Sequence, residues 1–168
     1  MSFRVARARV NIFGNSSSAQ PIDSGCIKGA NPMANLDTAY IVIFLIGRII
    51  VGLFFIMSGM HHFTGHSMMT GYAKSKGIPA AGAGVAFSGI LLVLGGLSML
   101  LGFHPTIGAI LLVICLFAFA FGMHNFWNLK DPQAKQMEMI QFMKDVALLG
   151  FVLMTLMILR PWPISLGR

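Results

Sequence analysis

Residues 124–150 read HNFWNLKDPQAKQMEMIQFMKDVALLG. A His, a Trp, a Glu, a Gln, a Lys and an Asp fall here in a chain that is otherwise close to plain hydrocarbon. Polar groups are costly inside a membrane, so a cluster of them points to function. Imidazole and carboxyl groups at close quarters suit hydrogen bonding and proton exchange. At about 100° per residue of helix, Glu138, Gln141 and Asp145 lie within about 60° of one another, on one inward stripe. Lys144 falls about 100° from Asp145, on the flank of that stripe.

Two further groups are expected to close on this stripe. Arg48 is the single charge in the first apolar segment, and His62 lies at that segment's end. Arg48 sits roughly 20 Å from the His62 end, and Asp145 roughly 15 Å into its own helix. An unpaired charge at such depth costs several kcal/mol, so Arg48 is expected to pair with Asp145, or with Glu138 if the helices are staggered. Such a pair would fix helix register, floor a polar pocket, or do both. The candidate pocket is Arg48, His62, His124, Trp127, Glu138, Gln141 and Asp145. Phe63, Phe126 and Phe142, beside Trp127, are the candidate slot for a flat ring. No catalytic residue is assigned.

The elements that must hold these residues are helices. The chain is 168 residues long, 56% hydrophobic and 10% charged, with a mean hydropathy of +0.77. Soluble domains carry about 25% charged residues. The expected class is all-α integral membrane. Four apolar segments, about 38–60, 78–103, 106–126 and 135–159, are each long enough to span about 20 residues of bilayer. The linker between the second and third is very short, and antiparallel neighbours follow from that. Four transmembrane helices in an up-down-up-down bundle are therefore expected over residues 38–160. This brings the ends of segments one and three and the start of segment four to one membrane face. Segment four is polar in its first half and free of charge only from Val146, so its polar side must look at protein.

Residues 1–37 read as a disordered polar and basic tail, with Met33 as an alternative start, and 161–168 as a short C-terminal tail. The tail has no secretory h-region. The net charge of +7 is scattered over the chain. Without a basic patch interleaved with aromatics, nucleic acid is not an expected partner; anionic head groups suit it better. Cys26 and Cys115 form no C-x-x-C, and no thiol relay is expected. The histidines resemble a metal-ligand run only weakly, so no metal site is assigned.

Small residues recur every seven positions: Gly52 and Gly59; Gly82, Gly89 and Gly96; Gly108, Cys115 and Gly122. Seven residues are nearly two helical turns, so each set forms one stripe along which a neighbouring backbone can approach.

Certain blocks resemble the DoxX family of small four-helix membrane proteins. They are Gly47-Arg48, Gly52-Leu53 and Ser58-Gly59; Gly71-Tyr72 and Gly77-Ile78-Pro79; and His124-Asn125-Phe126-Trp127, Asp131-Pro132 and Phe142-Met143-Lys144 running into Ala147-Leu148-Leu149-Gly150. The resemblance covers about 38–159. Relatives often have Asn-Lys at His61-His62 and Asn at Asp145, inside the polar cluster.

The resemblance implies a multi-pass protein of a prokaryotic plasma membrane, linked to redox chemistry. The expected function is a quinone-interacting or redox-associated subunit of a membrane oxidoreductase assembly. No intrinsic cofactor is expected; a quinone is the one implied. The lipid bilayer, a redox partner subunit and a second copy of the chain are the implied partners. Eukaryotic relatives imply an alternative, a non-catalytic chaperone or scaffold that docks other membrane proteins through its glycine seams.

Overall fold

A computed structural model describes the backbone of residues 32–158 and 161–167, and the side chains from residue 37 on. The expected tail falls mostly on residues 1–31, outside the described residues.

Within the described residues the fold is helical, with no strand. α1 runs Pro32–Thr64, α2 His66–Ser75, α3 Ala81–Leu101, α4 Pro105–Ala118 and α5 Pro132–Thr155. A π-helical turn, Phe119–Met123, and a 3₁₀ turn, Phe126–Asn128, follow α4. Three stretches are long and apolar enough to cross a membrane: Asp37–Thr64, Ala81–Leu101 and Pro105–Asn128. The expected four-helix array is thus changed in two respects. The linker between the first two spans folds into α2. Glu138, Lys144 and Asp145 make α5 too polar in its first half to count as a span on apolarity alone.

Local sequence explains the boundaries. Gly102 ends α3 at φ +65, a left-handed conformation that costs glycine little. Pro105 opens α4 and Pro132 opens α5, where a missing N–H is harmless. Asp131 caps α5 by accepting from the Ala134 amide at 2.7 Å.

α1 packs along α3, α3 along α4, and α4 along α5. The small stripes make the first two contacts. A Cβ on Gly59 would stand 2.8 Å from the Gly89 carbonyl oxygen, and one on Gly96 would stand 2.9 Å from that of Gly52. Gly95 and Gly108 do the same between α3 and α4, where a Cβ on either meets the other's carbonyl oxygen at 3.2 Å. The main core, with Phe55, Leu92, Leu112 and Val152 fully buried, lies between these helices. A smaller core of Ala73, Ala81 and Val85 holds α2 against α3, and His66 donates from Nε2 to the Gly82 carbonyl at 3.0 Å.

Candidate functional site: a polar wall in an apolar cavity

The π turn decides where His124 goes. The His124 amide bonds the Phe119 carbonyl at 3.1 Å, one residue further back than in an α-helix. The chain then leaves helical geometry at His124. This turns the imidazole toward α5. His124 Nδ1 donates to Glu138 Oε2 at 2.7 Å. The opposite ring nitrogen, Nε2, stands 3.7 Å from Asp145 Oδ2, beyond hydrogen-bond range.

Glu138 is the hub. Its Oε1 accepts from the Tyr72 hydroxyl and from Lys76 Nζ at 2.8 Å. Through this one carboxylate, α2 is tied to α5 and to the end of α4. The Tyr72 phenol is pushed above its ordinary pKa of 10.0, first by burial and then by the carboxylate it donates to.

Beside this hub lies a cavity of about 500 Å³. Its walls are mostly apolar, with Phe54, Phe55, Val85, Leu91, Leu92 and Phe119 prominent. One wall is polar: His62, Tyr72, His124, Gln141, Lys144 and Asp145. Asp145 is 4% exposed, and its Oδ2 has no hydrogen-bond partner. His62 stacks on Phe119, centroids 5.6 Å apart, and bonds through Nδ1 to the Ser58 carbonyl at 2.9 Å. Lys144 is half exposed; it donates to Gln141 Oε1 at 2.6 Å and lies 3.7 Å from Asp145 Oδ1.

Four of the expected pocket residues, His62, His124, Gln141 and Asp145, meet on this wall. Glu138 stands just behind it. Arg48 does not join them, and the expected pairing with Asp145 or Glu138 is absent. Its guanidinium bonds the carbonyls of Leu100 at 2.8 Å, Pro163 at 2.7 Å and Ile164 at 3.2 Å. It lies about 6 Å from the rings of Phe44 and Trp162, at 6.0 and 5.9 Å. The antiparallel register that sets Gly59 on Gly89 places Arg48, midway along α1, beside Leu100 at the C-terminal end of α3, well away from His62. Backbone carbonyls at a helix end and a returning C-terminal segment satisfy the charge there.

The expected ring slot is also displaced. Phe126, Trp127 and Phe142 do meet, with Phe126–Trp127 and Phe126–Phe142 centroids both 5.4 Å apart. They stand outside the cavity wall, and Trp127 is 49% exposed. Phe63 is likewise exposed and off the wall. The residues that do form the apolar wall carry no signal beyond ordinary helix-face spacing. Tyr72 and Lys76 were missed for another reason: they sit in α2 and at its C-terminal cap, a stretch whose modest apolar content reads as linker. His104, alone at the opposite end, is a turn residue between α3 and α4.

Compared with known proteins, the DoxX family model matches residues 43–125. No curated protein and no solved structure matches. The matched stretch holds His62, Tyr72 and His124. It stops before Glu138, Gln141 and Asp145, so the acidic half of the wall lies beyond it.

Proposed function

We propose, from the premise that this chain is a DoxX-family membrane protein, that its cavity binds a lipid-soluble ring of the quinone class on behalf of a membrane oxidoreductase assembly. The observation that carries this reading is the cavity itself: about 500 Å³, apolar on most sides and polar on one. Small-molecule sites have this volume and this division of labour, apolar walls for affinity and a few polar groups for orientation. A ring and its tail would lie against Phe54, Phe55 and Leu92, with the ring oxygen at His62 and Asp145.

In this reading α5 is the fourth crossing of an up-down-up-down array. Its 24 residues are about 36 Å long at helical rise, enough to span. Its charged first half turns to the cavity and to α2, as a polar membrane helix must. Electrons pass between the bound ring and a redox partner subunit, since the sequence contains neither a flavin fingerprint nor a cysteine cluster. The setting is a prokaryotic plasma membrane.

The chaperone alternative draws less support. The glycine stripes on which it relies are occupied inside the chain, between α1 and α3 and between α3 and α4.

The test uses the full chain in lipid nanodiscs. Decylbenzoquinone at about one hundred times its dissociation constant should stabilise the folded state by about 2.7 kcal/mol, raising the melting temperature measurably. No shift, together with no quinone in a lipid extract of the purified protein, would sink the reading.

A further inference from the structure

Most hydrogen-bond donors on the polar wall are already spent. The Tyr72 hydroxyl is given to Glu138, His124 Nδ1–H to Glu138, and one of the three Lys144 N–H groups to Gln141, the half-exposed ammonium lying 3.7 Å from Asp145 Oδ1. Even the Cys115 thiol is directed at the Ser88 carbonyl, at 3.8 Å. The Gln141 amide nitrogen and the Ser58 hydroxyl remain as weaker, neutral groups.

Two acceptors deeper in the wall make no hydrogen bond through the atom that faces the cavity. The Ser58 carbonyl can only accept, so His62 must carry its proton on Nδ1. A neutral His62 then has a bare lone pair on Nε2, and this atom makes no hydrogen bond among the described residues. Asp145 Oδ2 is buried, on the cavity wall, and makes no hydrogen bond, with His124 Nε2 at 3.7 Å. A buried polar atom without a partner is costly and calls for an explanation. A ligand that donates a hydrogen bond supplies one.

We infer that the cavity selects the hydroxyl form of its ring ligand, a phenol or hydroquinone, over the carbonyl form. The ligand's O–H is donated to Asp145 Oδ2, with His62 Nε2 as the second acceptor. A quinone carbonyl at the same place would set lone pair against lone pair. The site thus takes the reduced member of the carrier couple. This inference rests on the reading of the cavity as a ring site, but it fails separately from it.

Three tailed probes tell the two apart: decylphenol, its methyl ether, and decylbenzoquinone, each titrated into the full chain in nanodiscs. The phenol and ether differ by one donor and are redox-inert. The phenol should bind at least about tenfold more tightly than the ether, the usual scale for a hydrogen bond to a charged acceptor. Asp145→Asn, folded by its helical circular dichroism, should reduce that ratio to a few-fold. His62→Phe, which keeps the ring against Phe119, should narrow it as well and serves if Asp145→Asn does not fold. Equal binding of phenol and ether, tighter binding of the quinone, or a ratio that survives both substitutions overturns the inference and leaves the ring site standing. Binding of none of the three overturns both.

Discussion

Glu138 accepts from three donors on two other elements, and its side chain is only 13% exposed. Replacing it with Gln keeps the shape but loses the charge and sets an amide N–H₂ against Lys76 or His124. Glu138→Gln should cost about 1–3 kcal/mol of stability, read as a lower melting temperature in detergent. Tyr72 allows a sharper test through pH. The folded chain holds the phenolic proton more tightly than the unfolded chain, whose pKa is near 10.0. Its contribution is therefore complete below pH 10 and is lost as pH rises further. The melting-temperature gap between wild type and Tyr72→Phe should close above pH 10; a gap constant through the alkaline range would contradict the contact. At this scale the sequence was a partial guide. Of the stripe expected on α5, Gln141 and Asp145 line the cavity and Glu138 stands behind it, on the side of α2 and His124. Tyr72 and Lys76, their partners from another element, were not visible.

The α1–α3 seam rests on glycine because backbone touches backbone. A Cβ at Gly59 would stand 2.9 Å from the Val93 amide nitrogen as well as 2.8 Å from the Gly89 oxygen. Neither helix can yield without moving as a body. Gly59→Val should therefore cost about 1–3 kcal/mol through overpacking. Gly150 on α5 has nothing within 4 Å, so Gly150→Ala should be neutral or stabilising by up to about 1 kcal/mol. Paired thermal melts check both. The seven-residue stripes were readable in advance, and Gly52, Gly59, Gly89 and Gly96 all fall on the seam. Gly122, in the same numerical series, meets nothing within 4 Å. It lies in the π turn, where the helical phase has shifted and a seven-residue count no longer marks one face.

Across the whole molecule, the two ends of the helical array are held by different means. At one end Glu138 gathers α2, α4 and α5. At the other, Arg48, 8% exposed, gathers α1, α3 and the C-terminal segment through three carbonyls. The Leu166 amide adds a bond to the Leu101 carbonyl at 3.0 Å. Arg48→Met should leave those carbonyls without their donor and release residues 161–167. The expected result is a protein that still folds at the Glu138 end, yet shows faster protease cleavage near its C-terminus and a stability lower by about 2 kcal/mol or more. Unchanged cleavage would mean that Trp162 and its packing on Phe44, 5.3 Å between centroids, hold the segment alone.

By itself the sequence determined the membrane character, three of the four expected apolar spans to within a few residues, the small-residue seams and the polar stripe of α5. These are local or periodic properties, set by composition and by the geometry of one helix. It also pointed to His62, His124, Gln141 and Asp145 as neighbours, since short connections force antiparallel order. The tertiary structure alone decided that Arg48 belongs to the opposite end, that the aromatic trio lies outside the cavity, and that α2 and its C-terminal cap supply Tyr72 and Lys76. Each of those depends on the axial register between helices. Hydrophobic spans are nearly uniform along their length, so register is left to contacts such as Gly59 on Gly89, which appear only when the helices meet.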